Sequence, residues 1–327
     1  MKININDIEE KGYLDIIPNP SLDLFHEINE LKKKKNAVIL AHYYQDADIQ
    51  DIADYIGDSL GLSQQAAATN ADIIVFAGVE FMAETAKILS PNKKVLLPDL
   101  KAGCSLADAA PEAEFRAFKA LHPNAVVVSY INCTAAVKSM SDYICTSSNA
   151  VDVVKAIPLD KEIIFAPDAN LGRYVEKVTG RKMHIWEGAC MVHVNISDEK
   201  LTQLMALRPE AMLIAHPECP SAILDKAAFI GSTKALINYV SKSNHPIFIV
   251  ATEAGILFKM REAAPGKLII PAPSFENNTC ACAECPYMKM NTLEKLYNAL
   301  EYELPTVTID PHVQDGALRA LQNMLSI

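Results

Sequence analysis

The sequence predicts an α/β fold of the three-layer sandwich type, assembled from three units related by a pseudo-threefold axis. The first observation behind this is a repeat. NAVILAHYYQDADIQDIADYIGDSLGLSQQAA from Asn36, NAVVVSYINCTAAVKSMSDYICTSSNAVDVVK from Asn124 and EAMLIAHPECPSAILDKAAFIGSTKALINYVS from Glu210 align without gaps over most of their length. The second is that each copy opens on a run that is apolar at every position, which marks a strand buried on both faces of a parallel sheet. The third is that two more apolar runs follow in every copy with helical patterns between them, giving strand, helix, strand, helix, strand.

Taken in order, the elements begin with a lead-in over residues 1–35. Its start, MKININDIEEKGYLD, mixes charged and apolar residues and holds no continuous apolar stretch, so it reads as neither a signal peptide nor a membrane span. SLDLFHEINEL is an amphipathic helix, and Lys32 to Lys35 form its solvated end, where cations suit the helix dipole. Unit 1 covers residues 36–121, unit 2 residues 122–207, and unit 3 with a C-terminal tail residues 208–327. The first strands fall at 37–41, 125–129 and 211–215. The second runs are ADIIVFAG, EIIFAPD and PIFIVAT, and the third are KVLLPD, KMHIW and KLIIPA.

Composition agrees with a globular chain and narrows the partners. Of 327 residues half are apolar and 21% charged, with 12 glycines and 18 prolines, which excludes a disordered or low-complexity chain. The net charge of −10 lacks the basic surplus that a phosphate backbone or an anionic membrane surface requires. The expected setting is the cytoplasm, with no nucleic-acid partner and no membrane association.

In open α/β sheets ligands gather at the carboxyl ends of the strands, and the repeat puts chemically capable residues there. His42, Tyr130 and His216 occupy equivalent positions just past the first strand, spaced by 88 and 86 residues. Tyr44, Asn132 and Glu218 are equivalent two positions on. Seventeen residues after the first set come Ser59, Ser147 and Thr233, in the contexts GDS, CTS and GST, each read as the start of a second helix. Hydroxyls at such a start cap the helix or join its free amides in holding an anion. Phe81 and Met82 suit core packing as well as a pocket wall.

Eight cysteines remain to be placed, and a large chain without a signal peptide uses them for metal or catalysis more readily than for disulfides. Cys104 follows His42 by 62 residues, Cys190 follows Tyr130 by 60, and Cys285 follows His216 by 69, each just beyond the third run of its unit. One cysteine per unit at a matching position predicts three thiolates converging on the axis, so the units surround a central cluster site. A structural zinc takes four ligands, whereas a 4Fe-4S cluster on three cysteines keeps one iron open as a Lewis acid. Cys133, Cys145 and Cys219 read as small buried hydrophobes. Cys280 and Cys282 complete a CxCxxC run with Cys285, which by itself also suits a metal knuckle, a redox pair or a disulfide.

At this point the segments AHYYQ, GDSLGLS, FMAETAK, LPDLKAGCSLAD, YINCTAAVK, CTSSNAV, FAPDANLG, WEGACMVH, HPEC and CPYMKMNTLEKLY, in that order from Ala41 to Tyr297, resemble the quinolinate synthase family. The resemblance implies three α/β units around a 4Fe-4S cluster held by Cys104, Cys190 and Cys285. The third ligand is chosen by the PYMKMN that follows it. It also implies condensation of iminoaspartate with dihydroxyacetone phosphate to quinolinate, with loss of phosphate and two waters, on the route to NAD. Iminoaspartate would come from an aspartate oxidase or dehydrogenase in transient contact.

The resemblance further implies a pocket of His42, Tyr44, Ser59, Tyr130, Asn132, Ser147, His193, His216, Glu218, Ser232 and Thr233. Within it Ser232 and Thr233 suit the triose phosphate, and Ser59 and Ser147 the two carboxylates. Glu218 is the expected base, with His193 or His216 as proton donor to leaving oxygens. Tyr44 would donate to an oxygen at the open iron, and His42 and Tyr130 would orient substrate oxygens. Two other classes fit parts of the pattern: a cluster hydro-lyase acting on a small hydroxy acid, and a zinc or redox-sensing binding protein built on CxCxxC.

Overall fold

The structure is a computed structural model that describes residues 5–275 and 283–327, so Cys280 and Cys282 lie outside the described residues. Among the described residues twelve strands form three four-stranded sheets with one shared topology. The first contains β1 (Ala37–His42), β2 (Tyr55–Gly57), β3 (Ile73–Ala77) and β4 (Lys94–Leu96) in the order β2-β1-β3-β4. The second contains β5 (Val126–Tyr130), β6 (Tyr143–Cys145), β7 (Ile163–Ala166) and β8 (His184–Ile185), ordered β6-β5-β7-β8. The third contains β9 (Met212–Ala215), β10 (Phe229–Ile230), β11 (Ile247–Ala251) and β12 (Leu268–Pro271), ordered β10-β9-β11-β12.

Every pairing within these sheets is parallel. Ala37 lies opposite Ile73, Val126 opposite Ile163 and Met212 opposite Phe248. The expected three related α/β units are therefore present, each with one more strand than the sequence pattern suggested. The additional strands, β2, β6 and β10, are two or three residues long and sit at the sheet edge between two helices. A run that short leaves no periodicity to read.

The central strands are buried along nearly their whole length, as their uninterrupted apolar runs require. Each sheet is covered by the helix that leads into its first strand. Ile28 and Leu31 of helix Leu24–Lys34 pack on Ile39, Ile73 and Val75. Phe115 of helix Glu112–Leu121 packs on Val127 and Ile164, and Leu201 of helix Asp198–Leu207 on Leu213 and Ile249. In packing terms each unit thus reaches back over one helix. The lysine run is only half solvated: Lys32 pairs with Asp54 at 2.8 Å and Lys35 with Glu303 at 2.9 Å, while Lys33 and Lys34 face water.

The C-terminal segment leaves unit 3 and crosses the other two. Leu296 and Leu300 of helix Leu293–Tyr302 are fully buried against the first sheet, and burying a leucine is worth about 1.5–3 kcal/mol. Thr306 bridges the edge strand at Leu96, and helix Pro311–Leu325 then packs against helix Ala135–Ser139 and β6 of unit 2. Among the described residues no helix is long and apolar enough to cross a membrane.

Candidate active site

All three sheets aim the carboxyl ends of their strands at one central cavity. In the order 2-1-3-4 the connections leaving the neighbouring first and third strands run toward opposite edges of the sheet, and the crevice at that switch point is where such folds bind ligands. The cavity wall takes His42, Tyr44 and Ser59 from unit 1, Tyr130, Asn132, Ser147 and His193 from unit 2, and His216, Glu218 and Thr233 from unit 3. Cys104, Cys190 and Cys285 line the same space. Ser232 is the one expected pocket residue off the wall. Its hydroxyl caps helix Thr233–Lys242 by accepting from Ala235 N at 3.3 Å.

The hydroxyl positions differ in detail from the repeat reading. Ser59 and Thr233 are the first residues of their helices, capped by the preceding Asp58 and Ser232. Ser147 instead sits in a turn, and its helix starts only at Ala150. The cap positions of the three units meet through the neighbouring Ser148. Its Oγ donates to Asp58 Oδ2 at 2.7 Å and lies 2.8 Å from Ser232 Oγ. A contact between one residue of each unit pins the pseudo-threefold arrangement at this end of the cavity.

Glu218 is the electrostatic centre. It is 3% exposed, accepts from the Tyr130 hydroxyl at 2.5 Å on Oε1, and has His193 Nδ1 at 3.1 Å from Oε2. Those last two atoms are close but not aligned for a hydrogen bond, so both are buried without a partner. Burial alone would raise the Glu218 carboxyl. The adjacent His193 and His216 rings and the Tyr130 hydroxyl outweigh it and hold the group below the ordinary carboxylate range.

The rings of His193 and His216 stack at 4.9 Å. Burial drives the His216 imidazole down to about 3 and that of His42 to about 4, so both are neutral near pH 7. The phenols of Tyr44 and Tyr130 are pushed well up by burial and by the Glu218 charge, which keeps them as O–H donors.

Three participants escaped the strand-end argument because it was applied only to the first strand of each unit. The ends of β7 and β11 carry Asp168, Thr252 and Glu253, all buried. Thr252 Oγ1 lies 2.9 Å from the Tyr44 hydroxyl and 2.9 Å from His193 Nε2. Glu253 accepts from the backbone N–H of Gly255 at 2.6 Å and of Cys285 at 3.0 Å, and burial lifts its carboxyl to about 7.

The donor set suits a polynuclear iron-sulfur group. Cys104 and Cys190 immediately precede the short helices Ser105–Asp108 and Met191–Val194, so backbone N–H groups of Ala107 and Leu106, and of His193 and Val192, reach their sulfurs. Met288 and Tyr287 do the same for Cys285. Burial pushes the Cys104 thiol up to about 12 and raises the other two, helped by repulsion from Cys285 on Cys104, from Glu218 and Cys104 on Cys190, and from Glu253 on Cys285. Three thiolates crowded this way need a compensating positive charge.

Among the described residues the three sulfurs are not a set within 4.8 Å of one another, as one ion would require. The groups that do meet that limit are Cys190 with His193 and Glu218, and His122 with Glu162 and His184. In the second, the two imidazoles stack at 3.7 Å and 20°, so their in-plane lone pairs run side by side rather than toward one point. Cys133, Cys145 and Cys219 are fully buried in apolar surroundings, as small hydrophobes.

Comparison with known proteins agrees with this geometry. The family model described as quinolinate synthetase A protein matches residues 26–326. The chain is 61% identical over 310 residues to a quinolinate synthase of a Cyanothece species, covering 95% of this chain and 96% of that protein. It is 60% identical over 313 residues to one of Rippkaea orientalis (96% and 95% covered) and 59% identical over 319 residues to one of Gloeothece citriformis (98% and 97%). With the match extending over nearly its whole length, the chain belongs to the quinolinate synthetase A protein family.

Proposed function

We propose that this chain is a cytoplasmic, transferase-class enzyme that condenses iminoaspartate with dihydroxyacetone phosphate to quinolinate, releasing phosphate and two waters, for de novo NAD synthesis. The observation that carries the reading is the convergence of one cysteine from each unit on a cavity that also holds the Tyr130, Glu218 and His193 array. Cys104, Cys190 and Cys285 would hold a 4Fe-4S cluster, which when bound supplies one iron without a cysteine ligand as a Lewis acid. On this reading residues 1–35 lead into units over 36–121, 122–207 and 208–327, the last with the tail, and a transiently docked aspartate oxidase or dehydrogenase supplies iminoaspartate.

The substrates are anionic, yet among the described residues no lysine or arginine lines the cavity, and Asp58, Glu218 and Glu253 do. Neutral donors must therefore hold them. Thr233, at the first turn of a ten-residue helix, binds the triose phosphate with the helix amides. Ser232, engaged as the cap, supports it from behind. Ser59 and Ser147 take the carboxylates, with the Asn132 amide beside them. Glu218 removes the protons that enamine formation and dehydration release, and His193 returns them to leaving oxygens, with His216 stacked on its ring. Tyr44 stays protonated and donates to a substrate oxygen, while neutral His42 and Tyr130, whose own hydrogen goes to Glu218, orient substrate oxygens.

The test is anaerobic purification followed by turnover. The expected protein is brown, carries about four irons and four sulfides, and releases phosphate from dihydroxyacetone phosphate only when iminoaspartate is present. A colourless zinc protein, or phosphate release that ignores iminoaspartate, refutes the reading.

A further inference from the structure

Lys138, on helix Ala135–Ser139, is fully buried, and nothing in the chemistry proposed above uses it. Its Nζ donates to the Cys133 carbonyl and lies 5.4 Å from the centre of the Phe81 ring. Among the described residues these are its partners, and no carboxylate comes within ion-pair distance. Glu84, one turn beyond Phe81 on helix Glu80–Leu89, has its carboxyl raised by burial, with the Lys138 charge working against that through space. Its Oε2 is spent elsewhere, accepting from the Ala135 N–H at 2.9 Å. Burial likewise lifts the Cys133 thiol, to about 11, against the pull of the same charge. A buried cation accompanied by one carbonyl and one ring is costly to keep.

What that cost serves is indicated by Phe81. Its ring lines the central cavity, while Lys138 does not reach the wall and stands behind the ring. The charged side chains on the wall itself are Asp58, Glu218 and Glu253, so an anionic ligand meets carboxylates and no cation. A charge set in a low-dielectric wall is poorly screened and acts across the ring. We propose that Lys138 is a fixed counter-charge behind the cavity wall, which raises affinity for anionic ligands in proportion to their charge without touching them. Helices of units 1 and 2 hold it there, one supplying Phe81 and Glu84 and the other Lys138 itself, joined through the Ala135 N–H. The proposal rests on the reading of the cavity as a site for anionic substrates, but not on the condensation itself.

The size of the effect follows from the geometry. A ligand atom touching the ring lies about 3.5 Å beyond it, so the charge acts over roughly 9 Å. At an effective dielectric constant of about 20 this is on the order of tenfold in affinity for each charge on the ligand.

The test is anaerobic calorimetric titration of the cluster-loaded enzyme with two ligands that share a ring nitrogen and its neighbouring carboxylate. Quinolinate carries two negative charges and pyridine-2-carboxylate one. Lys138→Met should weaken quinolinate by about 100-fold and pyridine-2-carboxylate by about 10-fold. Lys138→Gln, which keeps an N–H for the Cys133 carbonyl but no charge, should show the same order, and it replaces the methionine variant if that one does not fold. Equal weakening of the two ligands, as a displaced loop would give, overturns the proposal. So does unchanged affinity in Lys138→Met, or affinity restored in Lys138→Gln. If the unsubstituted chain binds neither ligand, the proposal and the anion reading of the cavity fall together. If it binds both in the expected order but makes no quinolinate, the catalytic reading falls and the role of Lys138 stands.

Discussion

Gly255 offers a sharp test of how the site is built, because its substitution by alanine perturbs Tyr44 without touching any side chain. A β-carbon on Gly255 would lie 2.7 Å from the Tyr44 carbonyl oxygen and 2.8 Å from both its carbonyl carbon and Cα. Ordinary contact begins near 3.4 Å, so the two segments must part by 3.4 − 2.7 = 0.7 Å, and the obstructing atoms are backbone rather than a yielding side-chain tip. Gly255 itself has φ −58°, which alanine adopts freely, so no conformational strain confuses the result.

Overpacking of this kind costs about 1–3 kcal/mol. Displacing Tyr44 also stretches the 2.9 Å contact of its hydroxyl with Thr252 beyond hydrogen-bonding range, at about 1 kcal/mol. Gly255→Ala should therefore lose roughly 2–4 kcal/mol of stability. Misplacement of about 1 Å in a reacting array can cost about 100-fold in rate, so kcat should fall by about 10-fold or more even in protein that retains its iron. Urea denaturation under anaerobic conditions reads the first quantity, and quinolinate formation normalised to iron content reads the second. A variant with unchanged midpoint and unchanged kcat would show that Tyr44 is not held by this contact.

Glu218→Gln, with the iron content intact, should lower turnover by at least about 100-fold as the base is lost, and a near-normal rate would remove Glu218 from the chemistry. His42 is kept neutral by burial, so between its ordinary 6.5 and about 4 the unfolded chain takes up a proton that the folded chain refuses. Stability must then fall as pH falls through that window, by on the order of 3 kcal/mol. His42→Gln should flatten the urea-midpoint profile there, and an unchanged slope would count against it. Ser148→Ala removes a donor from buried Asp58 and should cost about 1.5–3 kcal/mol, seen as a lower thermal midpoint. A midpoint that does not move would mean the three-unit contact carries no stability.

The sequence revealed much of this architecture because its repeat is written twice, once in strands and once in chemistry. The runs that became β1, β5 and β9 are apolar without alternation, and a strand buried on both faces leaves no other reading. The residues just after them reached the cavity because parallel strands deliver their carboxyl ends to one edge. Ser147 shows the limit of register: the turn at Thr146 delays its helix to Ala150, so equal spacing did not mean equal backbone. Thr252 and Glu253 stand at the end of a run the sequence displays plainly, PIFIVAT, and extending the strand-end rule to every strand would have found both. The C-terminal helices were not legible at all. Their amphipathic faces state that they pack but not on what, and their partners lie in units 1 and 2.

That crossing of the C-terminal segment has a consequence for how the protein comes into being. Leu296 and Leu300 complete the core under the first sheet, and Ala317, Ala320 and Leu321 join a core shared with Ile88 of unit 1 and Ile144 of unit 2. During synthesis the first sheet therefore emerges from the ribosome with part of its apolar underside bare, and it stays bare until the helix carrying Leu296 and Leu300 has been made. Cys285, too, arrives long after Cys104 and Cys190. The order of the chain thus places both the finished core and the third of the proposed sulfurs after the first two units, so a nascent chain that has not reached Cys285 offers no complete set of three cysteines.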